Sequence, residues 1–168
     1  MKIFFTSDTF FGRKLTAIER GFSSDEEMFD TYIENWNKRV GKNDTVYHLG
    51  NFAWDPIACE SSMIHLNGKI NFLSGQYDSH LPEMSLIKLG RHSIISHQIA
   101  IIPNINCIIS HWPLLDWIGK EEDYIHVHGG TQSTNLEDGY RFNANVSNWN
   151  NAPIEFDFFK ELIESNKQ

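Results

Sequence analysis

The chain has 168 residues, enough to bury a core without disulfide or metal staples, and one domain over residues 1–168 is expected. Its 22 acidic against 14 basic side chains give a formal net charge of −8, which argues against direct nucleic-acid binding, because neutralising phosphates needs a basic surface. No stretch approaches a membrane span and the apolar run at Ile3 to Phe5 is too short for a secretory signal. No membrane partner is therefore expected, and the location expected is cytoplasmic.

Cys59 and Cys107 stand far apart and form no CxxC pair, which reads as two buried thiols in a reducing compartment. The aromatic share is high at 13%, with twelve Phe and five Trp. A ring-rich core accounts for this first; an interface between two copies in a homodimer is the alternative.

Taken in order, Ile3-Phe4-Phe5 reads as a short buried strand that stops at Ser7-Asp8-Thr9 and opens a loop containing Gly12. In an α/β sheet a carboxylate just past the carboxyl end of a strand sits in the crevice where ligands bind, so Asp8 is placed to hold something. Ser24-Asp25-Glu26-Glu27 reads as a capping box, and Met28, Phe29, Tyr32, Ile33, Trp36 and Val40 then share one helical face up to Gly41. Thr45 to Leu49 is a second strand ending in Gly50-Asn51-Phe52. A short helix over about Ile57 to Leu66 follows a proline, and Lys69 to Leu73 is a third strand ending in Ser74-Gly75-Gln76-Tyr77-Asp78. This alternation predicts parallel pairing with right-handed crossovers.

The second half reads as β-rich. Ser93 to Ile102 and Asn106 to Ile109 are β-branched runs, the latter ending in Ser110-His111-Trp112-Pro113. Tyr124 to His128 leads into Gly129-Gly130, Tyr140 to Val146 is one more strand, and Phe156 to Ser165 is a terminal helix. The fold expected is α/β, a layered sandwich with a βαβαβ first half and a β-rich second half.

Five strand ends carry polar residues beside glycine, serine or histidine: Ser7-Asp8, Gly50-Asn51, Gly75-Gln76-Tyr77-Asp78, Ser110-His111 and His126-Val127-His128-Gly129. Together, and in this order across almost the whole chain, they resemble the five motifs of the calcineurin-like metallophosphoesterase family: Asp-x-His, Gly-Asp, Gly-Asn-His-(Asp/Glu), a lone His and Gly-His-x-His. The stretches Tyr47-His48-Leu49-Gly50 and Asn143-Ala144-Asn145-Val146, with Trp149 and Pro153, are similar to small bacterial and phage members. The resemblance implies a four-layer α/β sandwich and a two-metal site that activates a bridging hydroxide on a phosphate ester.

The sequence departs from that pattern. Asp8, His111, His126 and His128 stand where ligands should, but Phe10 replaces the first histidine, Asn51 the bridging aspartate, Gln76 the asparagine and Tyr77 the proton-donating histidine. Ile125 stands where the glycine before the last pair belongs. Two dications about 4 Å apart repel by about 15–20 kcal/mol at an effective dielectric of 20, and neutral Asn51 cannot offset that. Tyr77, with an ordinary pKa near 10, is a poor acid at neutral pH. No catalytic residue and no resident cofactor are expected. His126 and His128, spaced by two on a strand, suit a single weakly held divalent transition metal with Asp8, His111, Asn51 and Gln76, or are relics bonded among themselves and to water. His48, His65, His80, His92 and His97 read as ordinary core or loop side chains.

If chemistry is lost, function lies in binding. Asp25, Glu26, Glu27, Asp30 and Glu34 concentrate on the first long helix, and Glu121, Glu122 and Asp123 precede the histidine strand. Carboxylates in rows can imitate a phosphate backbone. Size, acidity and the altered hydrolase motifs resemble phage-encoded inhibitors of the bacterial DNA sliding clamp. The expectation is a non-catalytic, acidic, DNA-mimicking blocker of a basic host protein that normally binds DNA. The alternatives are an active metal-dependent phosphoesterase with an altered site and a pseudoenzyme that sequesters a small phosphate ligand.

Overall fold

The structure, a computed structural model, describes residues 1–79, 90–95, 97–131 and 139–166; His80 lies outside them. β1 (Ile3–Thr6) is followed by α1 (Lys14–Glu19) and α2 (Asp25–Arg39), β2 (Thr45–His48) by α3 (Pro56–His65), and β3 (Lys69–Leu73) leads on to β4 (Ser93–Ile95). Then come β5 (Ile99–Ile102), β6 (Cys107–Ser110), β7 (Ile125–His128), β8 (Arg141–Asn143), β9 (Ile154–Glu155) and α4 (Phe156–Asn166). The strands form two sheets, in the orders β4-β3-β2-β1-β9 and β5-β6-β7-β8. β1 to β4 are parallel and β6 to β8 are parallel; β9 and β5 are antiparallel edges.

Alternation along β1 explains the layering. Phe4 faces one way, into a core with Met28, Tyr32 and Trp36 of α2 and Cys59 and Met63 of α3. Phe5 faces the other, into a core with Ile109, Val127 and Phe142 of the second sheet and Phe156 and Phe159 of α4. The aromatic excess goes largely here: Trp36, Tyr32, Phe4, Phe5, Phe11, Phe52, Phe72, Phe142 and Phe159 are fully buried. Truncating such a ring typically costs about 3–5 kcal/mol. Both cysteines are buried, and burial pushes the Cys59 thiol up to about 12.

α2 starts as the sequence predicts, with one difference. The Ser24 hydroxyl accepts from Glu27 N at 3.1 Å, but the Glu27 carboxylate returns to Ser23 N (2.7 Å) and Oγ (2.5 Å), one residue before the cap. Met28, Tyr32 and Trp36, four apart, are its buried stripe. The helix expected over 57–66 begins at Pro56, whose missing N–H suits the first turn, under an Asp55 cap on Ala58 N at 2.9 Å.

Two expectations are corrected. The β-branched run from Ser93 to Ile102, read as part of the β-rich second half, is divided: β4 pairs with β3 in the first sheet and β5 with β6 in the second. Composition cannot reveal this, because both pieces are equally β-branched. The strand expected from Tyr140 to Val146 covers Arg141–Asn143 alone, because the Asn145 side chain then accepts from Ser147 N at 3.1 Å and opens a 3-10 turn.

Candidate functional site

The strand ends converge as parallel topology requires. Asp8 follows β1, Asn51 follows β2, Asp78 follows β3, His111 follows β6 and Gly130 follows β7, all past carboxyl ends. Backbone bonds splice the loops: Asp8 N donates to Gly50 O at 2.9 Å, Phe10 N to Asn51 O at 3.0 Å and Val146 N to Ser7 O at 3.0 Å. Asp8 (φ 58°), Phe10 (φ 48°) and Asn51 (φ 57°) all take left-handed backbone, which is uncommon for a bulky ring.

At the centre, Asp8 Oδ1 accepts from Asn51 Nδ2 at 2.8 Å, and Oδ2 accepts from Ser7 Oγ at 2.7 Å and Gly130 N at 2.9 Å. The Asn51 amide oxygen turns the other way and accepts from Tyr77 N at 3.3 Å. His111 donates from Nδ1 to Leu49 O at 2.7 Å, since a carbonyl only accepts, and its Nε2 lies 3.5 Å from Asn51 Nδ2. Asp8, Asn51 and His111 are each almost fully buried.

Asp78 has no role in the motif reading beyond its position, yet it ties two strand ends together. Its carboxylate accepts from Asn51 N (2.5 Å), Gly75 N (2.8 Å) and Phe52 N (2.9 Å). The signal available was its place three residues after Gly75, within reach of backbone N–H groups. Gly130 is the other residue sequence reasoning missed. Its φ is +68°, and a β-carbon there would come within 2.7 Å of His111 O and 3.1 Å of His111 Nε2.

The two strand histidines do not join this cluster. β7 alternates, so Ile125 and Val127 enter the inter-sheet core and His126 and His128 face the opposite side. Ser110 Oγ donates to Trp112 O at 2.5 Å and so accepts from His126 Nε2 at 2.8 Å; His126 Nδ1 has no partner among the described residues. Burial, helped by His128 and Arg141, depresses His126 to about 3. His128 donates from Nδ1 to Gly129 O at 3.0 Å. His48 behaves alike: Thr9 Oγ1 donates to Phe52 O and accepts from His48 Nε2, and burial holds His48 at about 3.

Gln76 is exposed on its turn. Among the described residues no three His, Cys, Asp or Glu side chains gather closely enough to hold a metal. The donor set at Asp8 does not fit a two-metal centre: Asn51 presents an N–H where a bridging anion is needed, and Phe10 supplies no ligand atom.

Above the cluster lies a packed aromatic group. The Phe10 and Tyr77 rings meet edge to face at 5.6 Å, the Tyr77 and Trp54 rings are tilted at 41° with centres 5.7 Å apart, and the Arg13 guanidinium lies 4.9–5.4 Å from all three ring centres.

The acidic groups are split. Asp25, Glu26 and Asp30 line a cleft of about 560 Å3 between α2 and α3, with Asp55 and the exposed Ile57. Glu26, helped by its own helix-start N–H and Ser24, and Glu27, helped by Ser23, are held below the usual carboxylate range. Glu34 pairs with Lys38 at 2.7 Å. Glu121, Glu122 and Asp123 are exposed just before β7, at the end of the sheets opposite to Asp8.

This arrangement of sheets has been seen before. The solved structure of a protein of unknown function, AQ665 from Aquifex aeolicus, superposes with a TM-score of 0.71 over 96% of this chain and 98% of its own, at 20% identity. The likeness is one of fold. An uncharacterized protein of Methanocaldococcus jannaschii, MJ1445, is 27% identical over 179 residues, covering 99% of this chain and 93% of its own length. No protein-family model matches the sequence.

Proposed function

We propose that the chain is a non-catalytic protein of the metallophosphoesterase fold that acts by binding, as an acidic DNA mimic that blocks a basic host replication protein such as the sliding clamp. The observation that carries the loss of catalysis is the state of Asp8, whose two oxygens take three donors from the protein itself. A cation brought there has to displace the Asn51 amide, which is neutral and presents an N–H to Asp8. The strand-end register supports the same reading. If Gly129 is the glycine of the last motif, the position of its first histidine falls on Gly130, which faces His111 and has no side chain.

The binding face is the start of α2 together with Asp55, where Glu26, held below the usual carboxylate range, and Asp30 are exposed. Such a face attracts a basic partner over roughly 10 Å at 0.1 M salt and less as salt rises. The expected partner has a basic DNA-binding surface; no direct contact with nucleic acid is expected, and no metal takes part.

Two measurements test this. With a purified bacterial sliding clamp and a fluorescent duplex, the chain should displace the DNA, and the effect should weaken at least about tenfold between roughly 50 and 300 mM salt. A triple Asp25→Lys, Glu26→Lys, Asp30→Lys variant should lose it. No displacement at low salt sinks the clamp reading. Separately, manganese-dependent turnover of a phosphodiester that disappears in His111→Ala would overturn the non-catalytic reading.

A further inference from the structure

Between α1 and the turn after β8 opens a cleft of about 690 Å3, walled by Phe10, Arg13, Arg20 and Glu19 on one side and by Asn145 and Ser147 on the other. Neither Asp8, Asn51 nor His111 lines it; Phe10 does, so the cleft adjoins the cluster at the strand ends without including its polar groups. Its volume falls in the range of small-ligand pockets, roughly 300–1,000 Å3.

Two arginines on one wall are unexpected in a chain of net charge −8. The ion pairs among the described residues are Lys2–Glu155, Lys38–Glu34 and Lys160–Asp157, and neither arginine is in one. Arg13 Nη1 donates to Thr16 Oγ1 at 3.0 Å and Arg20 Nη1 to the Tyr32 hydroxyl at 2.8 Å. Each guanidinium has five N–H donors, so most of each fork is uncommitted. Both are held in place without a carboxylate. Arg13 is framed by the Phe10, Trp54 and Tyr77 rings, and Arg20 lies 5.8 Å from the Phe10 ring centre. Stacking uses the faces of a guanidinium and leaves its N–H edge free. Glu19, the carboxylate on this wall, is exposed.

The geometry points to a binding site for a small phosphomonoester, of the size of a nucleoside 5′-monophosphate. The Arg13 and Arg20 forks take the dianionic phosphate, and the Asn151 amide, with the Phe10 ring, takes the uncharged body. Paired guanidiniums match phosphate oxygens in both charge and fork geometry. A polynucleotide is disfavoured because every further phosphate meets an acidic chain, whereas a single phosphate feels chiefly the two nearby cations. Nothing here depends on the clamp reading: a chain that ignores the clamp can still bind the phosphomonoester, and the converse holds.

The test is titration calorimetry on the full chain with four probes: inorganic phosphate, nucleoside 5′-monophosphates, the same nucleosides without phosphate, and a short single-stranded oligonucleotide. At least one monophosphate should bind, at least about tenfold more tightly than its nucleoside and than phosphate alone. Arg13→Gln and Arg20→Gln should each weaken it at least about tenfold, while Lys69→Gln, outside the cleft, leaves it unchanged. Should either arginine variant fail to fold, the Nε–H resonances of Arg13 and Arg20 in the unaltered protein decide: they shift on adding the ligand if the site is real. No binding at millimolar monophosphate, unshifted arginine resonances, or tighter binding of the oligonucleotide each overturns the inference.

Discussion

Asn51 Nδ2 donates to Asp8 Oδ1 across 2.8 Å, so an amide hydrogen faces the carboxylate at the point where the sheets' strand ends meet. Asp8 is thereby satisfied from within, and the Asn51 orientation is fixed from its far side by Tyr77 N. Asn51→Asp replaces that donor with a second carboxylate. In chelator at pH 7.5 the variant should lose about 2–4 kcal/mol in urea unfolding, from one unmade hydrogen bond plus like-charge repulsion. An unchanged midpoint at pH 7.5 would show that the contact carries no weight.

Asp78 joins two loops through three backbone N–H groups that have left their strands. Asp78→Asn keeps the shape but removes the charge and one acceptor oxygen. A cost of about 2–4 kcal/mol is expected, with amide exchange at Asn51 and Phe52 accelerating more than in the α2 core. Uniform acceleration across the chain would argue against a local clamp.

Burial holds His48 at about 3 in the folded state, against an ordinary value of 6.5. The unfolded chain therefore takes up a proton between these values while the folded one does not, so stability is full above about pH 6.5 and falls as the pH drops toward 3. Between pH 7.5 and pH 5 this one residue should withdraw about 2 kcal/mol. His92, lowered to about 4 by burial first and Arg91 second, acts in the same direction. His48→Gln should flatten the dependence of the urea midpoint on pH, and an equally steep profile in that variant rules the residue out.

Gly50 has φ +103°, and a β-carbon there would lie 2.4 Å from His111 Nδ1 and 2.7 Å from Gly75 Cα. Gly50→Ala should cost about 3 kcal/mol or more, combining backbone strain with overlap against groups that cannot retreat. Gly21, also left-handed at φ +83° but with nothing within 4 Å, is the comparison, and Gly21→Ala should cost about 1 kcal/mol. Equal melting shifts for the two would mean that the crowding at Gly50 relaxes freely.

Much of the first sheet could be read residue by residue. The stripe of Met28, Tyr32 and Trp36 marks α2, and Pro56 marks the start of α3, because both are local signals of period and punctuation. α1 and β9 had no such signal: α1 has six residues and β9 two, too short for a period to show. The division of 93–102 between two sheets also lay beyond local reading, since strand partners are chosen by distant residues.

The site shows the same boundary more sharply. Sequence alone determined that Asp8, Asn51 and His111 sit at strand ends, because composition and periodicity place strands and their exits. Spacing also suggested that His126 and His128 act together, and they do share one face of β7. Which face that is was decided by tertiary packing: Ile125 and Val127 take the inter-sheet core, so His126 turns to Ser110 and Trp117 and His128 to Gly129 O, and Gly130 reaches Asp8 instead. A strand's alternation is written in its own residues, but the side that is inward depends on what is packed against it, and that is settled only when both sheets are in place.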